Sequence, residues 1–97
     1  MVKIVWMPQA VEDLENISQY IGKDSPEFAS MLIKKIFASV EILNQFPNMG
    51  RIVPEFENEA LREIIIRNYR IIYQVKELSI EILTIFHGTH VGGLKRL

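Results

Sequence analysis

The sequence predicts an α+β fold. One N-terminal strand leads into a helical hairpin and then an antiparallel β-meander, in the order β-α-α-β-β-β, with the helices packed on one face of a twisted sheet. Three observations predict it. Apolar residues recur at helical spacing between Pro8 and Phe46. The period changes to two after Gly50, and the connections are short enough to force neighbouring segments together.

Residues 2–6 are β-branched and alternate weakly, as a short strand does. Pro8 fits the first turn of a helix, where its missing N–H is no loss. Val11, Leu14, Ile17 and Ile21 then recur every three or four residues among Glu12, Asp13, Glu15 and Gln19, so an amphipathic helix runs to about Gly22. Ser25-Pro26-Glu27 restarts a helix, with Ser as N-cap, Pro at N1 and an acid in the first turn. Ala29, Leu32, Ile33, Ile36, Val40 and Leu43 carry its stripe to Phe46, where Pro47 stops it. Phe28, Met31, Phe37, Ile42 and Phe46 widen that stripe beyond one packing face. The extra width suits packing on both the hairpin partner and a sheet, or an exposed groove for a partner helix.

Pro47-Asn48-Met49-Gly50 is turn chemistry. Residues 51–53 suit a short strand and residues 54–60 an exposed acidic loop. Residues 61–67 form a strand, Arg67-Asn68 a tight turn, and residues 69–75 the next strand. In that strand Tyr69, Ile71, Tyr73 and Val75 share one face, and Arg70, Ile72 and Gln74 the other. Residues 76–78 turn the chain, and residues 79–86 form the last strand. The glycine-rich stretch 88–97 is expected to be a poorly ordered tail. The helix pair covers one face of the sheet and leaves the other at least partly open.

The 97 residues suit one domain, and 48% hydrophobic against 24% charged is too apolar for a disordered chain. The absence of cysteine excludes a disulfide scaffold, a Cys-ligated zinc site and a Cys nucleophile. No apolar run is long enough to span a bilayer and no apolar signal core is visible, which predicts a cytoplasmic protein. The net charge of −1 argues against a surface built throughout to hold nucleic acid. Charge is nevertheless uneven. All five arginines (Arg51, Arg62, Arg67, Arg70, Arg96) lie after Gly50. They suit phosphate or carboxylate contact, and equally the solubilising of an exposed sheet face.

The sequence holds no GxGxxG, Walker loop or HExxH. His87 and His90 lack a third ligand at sensible spacing, so neither a metal nor a cofactor is expected. One metal-free constellation remains. Glu55, Arg70 and His87 come from three segments that a meander can bring together. A carboxylate or imidazole can act as general base, and an arginine can stabilise a pentavalent phosphate. Against that reading, Glu55 lies in an acidic loop with Glu57 and Glu59. Arg70 can also pair with Glu63 across the sheet.

The order of these signals resembles the RelE/ParE superfamily of toxins from type II toxin–antitoxin modules. The resemblance runs from Trp6 to His87. It rests on Trp6-x-Pro8-x-Ala10-x-x-Asp13-Leu14 with Ile17 and Tyr20-Ile21, and on Ser25-Pro26 with Ala29. It continues through Leu43-x-x-Phe46-Pro47-x-x-Gly50-Arg51, Glu55 and Arg62-Glu63. Tyr69-Arg70-Ile71-x-Tyr73, Ile82-Leu83 and Phe86-His87-Gly88 complete it.

The resemblance implies a growth inhibitor silenced by a cognate antitoxin, whose extended and partly helical segment wraps the toxin in a hetero-oligomer. Phe28, Met31, Phe37 and Ile42 are the expected antitoxin contacts. RelE-like members cut mRNA in the ribosome, whereas ParE-like members poison DNA gyrase and are not nucleases. By resemblance Arg70 falls on the nuclease branch's strand arginine, Glu55 near its acidic position and His87 near its C-terminal base. Gly88 stands where some nucleases carry a stacking aromatic, and His90 where a basic residue is usual. With the net charge of −1, these departures favour the ParE branch and a non-enzymatic gyrase poison, for which Arg51, Arg62 and Arg70 are the expected target or phosphate contacts. The alternatives are a ribosome-dependent endoribonuclease and a degenerate toxin that retains only antitoxin binding.

Overall fold

A computed structural model describes residues 2–88 of the chain. Its elements are β1 (Lys3–Trp6), α1 (Pro8–Gly22), α2 (Pro26–Ile42), β2 (Arg51–Ile52), β3 (Leu61–Ile66), β4 (Tyr69–Val75) and β5 (Ser79–His87). The expected α+β class and helical hairpin hold. The predicted tail, with His90 and Arg96, lies past Gly88 and outside the described residues.

The helix starts follow the local chemistry. Pro8 and Pro26 occupy first turns, and the Ser25 hydroxyl accepts the Phe28 N–H at 3.1 Å. The second helix ends at Ile42, short of the expected Phe46. Leu43, Asn44 and Gln45 instead donate to carbonyls three residues back, a tightened turn that leads the chain into Pro47.

The strands form one mixed sheet in the order β1-β5-β4-β3-β2. The meander is antiparallel as expected, with β2 as a short extra edge strand. The first strand lies parallel to β5, pairing Lys3 with Ser79 and Trp6 with Ile82. Strand parity assigns the faces. Ile71 and Tyr73 of β4 meet Leu14, Leu32, Ile36, Val40 and Leu43 of the hairpin layer, together with Ile66, Ile80, Ile82 and Ile85.

A bulge interrupts β5. Ile72 pairs with Thr84 but Tyr73 with Ile82, which leaves Leu83 as the extra residue. Beyond Trp6 the first strand has ended, and Asp13 of α1 takes the place of a strand partner. Its Oδ2 accepts the Ile85 N–H at 2.9 Å and the Thr84 hydroxyl at 2.5 Å, while its Oδ1 accepts from Gln9.

The opposite face is less open than the sequence suggests. Val53 and Phe56, from the connection between β2 and β3, fold onto it and pack on Ile72, Leu61, Leu83 and Phe86. Val53 is completely buried. The acidic loop therefore covers part of the face that was expected to be at least partly open.

Candidate functional site

Strand parity and register place Glu63 of β3 and Arg70 of β4 diagonally on the loop-covered face, since Arg70 pairs with Ile65 and Glu63 with Ile72. Arg51 of β2 pairs directly with Glu63. The side chains form an alternating ladder. Arg51 Nε donates to Glu63 Oε2 at 2.5 Å and Arg70 Nε to Glu63 Oε1 at 2.6 Å. The Arg70 terminal nitrogens donate to both Glu55 oxygens at 2.9 Å. Glu63 is fully buried and Arg70 nearly so, whereas the Arg51 side chain is 57% exposed. The bidentate hydrogen bonding of Glu55, followed by that of Glu63, holds the Arg70 pKa above its ordinary value against the opposing effect of burial.

The three residues of the candidate trio are only partly brought together. Glu55 and Arg70 form a fork-to-fork pair. His87 is the register partner of Tyr69, on the helix side of the sheet, and its ring centroid lies 4.9 Å from that of Tyr69. Arg70 pairs with Phe86 and faces the other way. A cleft of about 420 Å³ at this end of the sheet is still lined by both Arg70 and His87, with Arg51, Ile65 and Arg67. Burial, with a smaller contribution from the Tyr20 phenol, raises the Tyr69 pKa above 10.

Arg62 serves the turn before β2. Its Nη1 donates to the carbonyls of Gly50 at 2.9 Å and Asn48 at 3.1 Å, and its Nε to that of Glu59. The buried Tyr73 hydroxyl completes the clamp by donating to the Pro47 carbonyl at 2.8 Å and accepting the Gly50 N–H at 2.9 Å. Burial raises the Tyr73 pKa, opposed by the Gly50 N–H and the Arg62 charge. The sequence reading paired Gly50 with Arg51 as a motif but missed Tyr73 as its anchor. The alternation within β4, which turned Tyr73 inward, was the available signal.

Phe28, Met31, Phe37 and Ile42 do not form one surface. At 100° per residue Met31 and Ile42 lie within about 20° of each other, and Phe37 lies more than about 100° away. Phe37 lines a groove of about 380 Å³ between the helices with Val11, Leu14 and Ile33, and its ring packs on Trp6 with centroids 5.1 Å apart and planes tilted by 54°. Phe28 lies under the Arg67 guanidinium.

Among the described residues no group of three or more His, Asp or Glu could hold a metal, and no helix is long and apolar enough to cross a membrane.

The family model of the ParE toxin of type II toxin–antitoxin systems matches residues 4–91. Y4kP of Sinorhizobium fredii, which carries a toxin designation, is 31% identical over 88 residues, covering 89% of this chain and 88% of that protein. Toxin RelE2 of Caulobacter vibrioides is 29% identical over 92 residues, covering 94% of this chain and all of that protein. The solved chromosomal ParDE system from P. aeruginosa superposes with a TM-score of 0.74 at 27% identity, over 92% of this chain and 98% of that one. The YoeB dimer from Staphylococcus aureus gives 0.60 at 19% identity over 92% and 97%, a likeness of fold alone.

Proposed function

The chain belongs to the ParE toxin family of type II toxin–antitoxin systems, and from that membership we propose that it arrests growth by binding DNA gyrase, without cutting RNA. As a toxin of a type II system it has an antitoxin partner. The finer reading rests on one observation, the condition of Arg70. An arginine that stabilises a phosphorane must present its donors to the substrate. Here the buried guanidinium forms hydrogen bonds with Glu55 and Glu63, beneath the loop that carries Val53 and Phe56. His87 pairs on the other face and is no ready partner base. The likeness to the P. aeruginosa ParDE structure supports the same branch. Gyrase is a cytoplasmic target, and we place the protein there.

Of the expected antitoxin contacts, Phe37 is the best placed, because it lines an accessible groove with Val11, Leu14 and Ile33, rimmed by Glu15, Ser18 and Gln19. An amphipathic antitoxin helix fits such a groove, and Phe37→Ser is expected to weaken the complex.

The second reading, ribosomal mRNA cleavage, is favoured by the match to Toxin RelE2 and by the cleft that Arg70 and His87 share. A supercoiling assay with purified gyrase separates the two. Gyrase poisoning predicts loss of supercoiling and trapped cleaved DNA. If the protein instead cleaves mRNA in a translating extract, and His87→Ala abolishes the cleavage, the gyrase reading fails. Expression that leaves growth unaffected points to the degenerate toxin.

A further inference from the structure

Tyr20 is 75% exposed near the end of α1, and an aromatic ring left so open offers its face to a stacking partner. Asn16, four residues back, shares its side of the helix. Tyr69 and His87 are register partners on β4 and β5, with their ring planes tilted by 57°. These four residues, with Ile17 from the edge of the core, line a cleft of about 370 Å³. That volume falls within the range of small-molecule sites. The cleft thus has three aromatic rings and one amide, and among the described residues no carboxylate, lysine or arginine lines it.

A cation stands nearby. Arg67, two residues before Tyr69, occupies the β3–β4 turn with φ 54°, a left-handed conformation that Gly, Asn or Asp ordinarily takes. Its guanidinium carbon lies 5.1 Å from the Phe28 ring centroid, so the side chain reaches to the helix side of the sheet, where Tyr69 and His87 also stand. A guanidinium held by its face keeps its in-plane N–H donors for an acceptor. Among the described residues no carboxylate pairs with Arg67. His87 joins the two features, because it lines both the aromatic cleft and the cleft at the end of the sheet that holds Arg67. The Gly88 N–H donates to the Asn68 carbonyl at 2.8 Å and ties the end of β5 to that turn.

We propose that these joined clefts bind a free purine nucleoside monophosphate, with the base stacked between Tyr20 and Tyr69, its edge met by the Asn16 amide and its phosphate on Arg67. An amide can satisfy adenine's amino donor and ring acceptor together. The charge count selects a single nucleotide over a strand. Arg51 and Arg70, the other arginines of the end cleft, already pair with Glu63 and Glu55. One guanidinium without a carboxylate suits one phosphate, whereas the affinity of a polynucleotide track grows with the number of phosphates neutralised. A cationic ligand would be repelled by Arg67, and a purely apolar one would leave Asn16 and Arg67 without use. The site lies on the helix side of the sheet, away from the buried Arg70 ladder, and it stands whichever target the toxin has.

Isothermal titration calorimetry of the whole chain with AMP, adenosine and a short single-stranded oligodeoxyadenylate tests it. AMP binds, and adenosine binds at least about tenfold more weakly, through loss of a charge-assisted hydrogen bond. Arg67→Asn, which suits the left-handed turn, lowers the AMP affinity to that of adenosine and leaves adenosine binding unchanged. Tyr20→Ala, at an exposed position, weakens both ligands by about fivefold or more without moving the melting temperature. Equal binding of AMP and adenosine overturns the proposal, as does an absence of AMP binding at millimolar concentration. Loss of adenosine binding in Arg67→Asn as complete as the loss of AMP also overturns it, because Arg67 then acts through the shape of the turn and not on the phosphate. DNA that binds more than about tenfold tighter than AMP overturns it in favour of a polynucleotide track.

Discussion

Gly50→Ala is the most demanding test of the turn clamp. The φ of Gly50 is not left-handed, so the argument is one of space alone. A Cβ there would meet the Glu63 carbonyl at 2.5 Å, the Tyr73 hydroxyl at 2.7 Å and the Tyr73 Cε1 at 2.8 Å. The carbonyl belongs to β3, and the tyrosine ring is completely buried, so neither yields easily. Displacing Tyr73 breaks its bonds to Gly50 and Pro47, about 1 kcal/mol each. Overpacking adds roughly 1–3 kcal/mol. The sum, about 3–5 kcal/mol, is a large share of the stability of a domain this size and lowers the melting temperature by roughly 15–30 °C. Urea unfolding followed by circular dichroism reads it as an earlier midpoint at unchanged slope. Tyr73→Phe alone should cost about 1–3 kcal/mol, and the double variant should fall short of the sum by about 1 kcal/mol or more, because both changes remove the same bonds. A loss below about 1 kcal/mol in Gly50→Ala, or strict additivity in the cycle, would refute the clamp.

Glu63→Gln leaves Arg51 and Arg70 facing a neutral amide, and about 3–5 kcal/mol should disappear from the urea-derived stability; a change below about 1 kcal/mol contradicts the ladder. Asp13→Ala strands the Ile85 amide and the Thr84 hydroxyl, at about 1–3 kcal/mol, and hydrogen exchange at Ile85 should accelerate while that at Ile71 changes less. Tyr69 and Tyr73 are both held neutral above their ordinary value of 10, chiefly by burial. Their contribution is therefore complete below about pH 10 and is lost as the pH rises through the folded-state values, because the unfolded phenols ionise first. Urea midpoints at about pH 9 and about pH 11 should differ, and Tyr73→Phe should narrow the gap; a flat profile refutes the assignment.

The helices were legible because their signals are local. Proline and serine positions and a three-to-four spacing specify Pro8–Gly22 and the start of α2 without reference to the rest of the chain. Parity within β4 correctly set Arg70 against Tyr73. What escaped depends on partners distant in sequence. Val53 and Phe56 sit among Pro54, Glu55 and Glu57, a composition that reads as exposed loop, and only the apolar sheet face opposite shows why they turn inward. Glu63 is a charge buried in a strand, tolerable only because two arginines meet it from either side. The separation of His87 from Arg70 follows from the β4–β5 register, which the bulge at Leu83 shifts by a residue. No local pattern announces that shift.

The parallel pairing of β1 with β5 has a consequence for the order in which a ribosome delivers this protein. Among the described residues β1 pairs only with β5, from Lys3 with Ser79 to Trp6 with Ile82, and β5 sits between β1 and β4 in the sheet. A nascent chain can form its helical hairpin early, but the sheet cannot close until the final strand emerges, and so distant a pairing is intrinsically slow. A message that breaks off before Ser79 thus yields a hairpin with an unfinished apolar face, which suits proteolysis better than toxicity. Harm to the cell waits on the synthesis of β5, and that delay gives an antitoxin already present its opportunity to bind first.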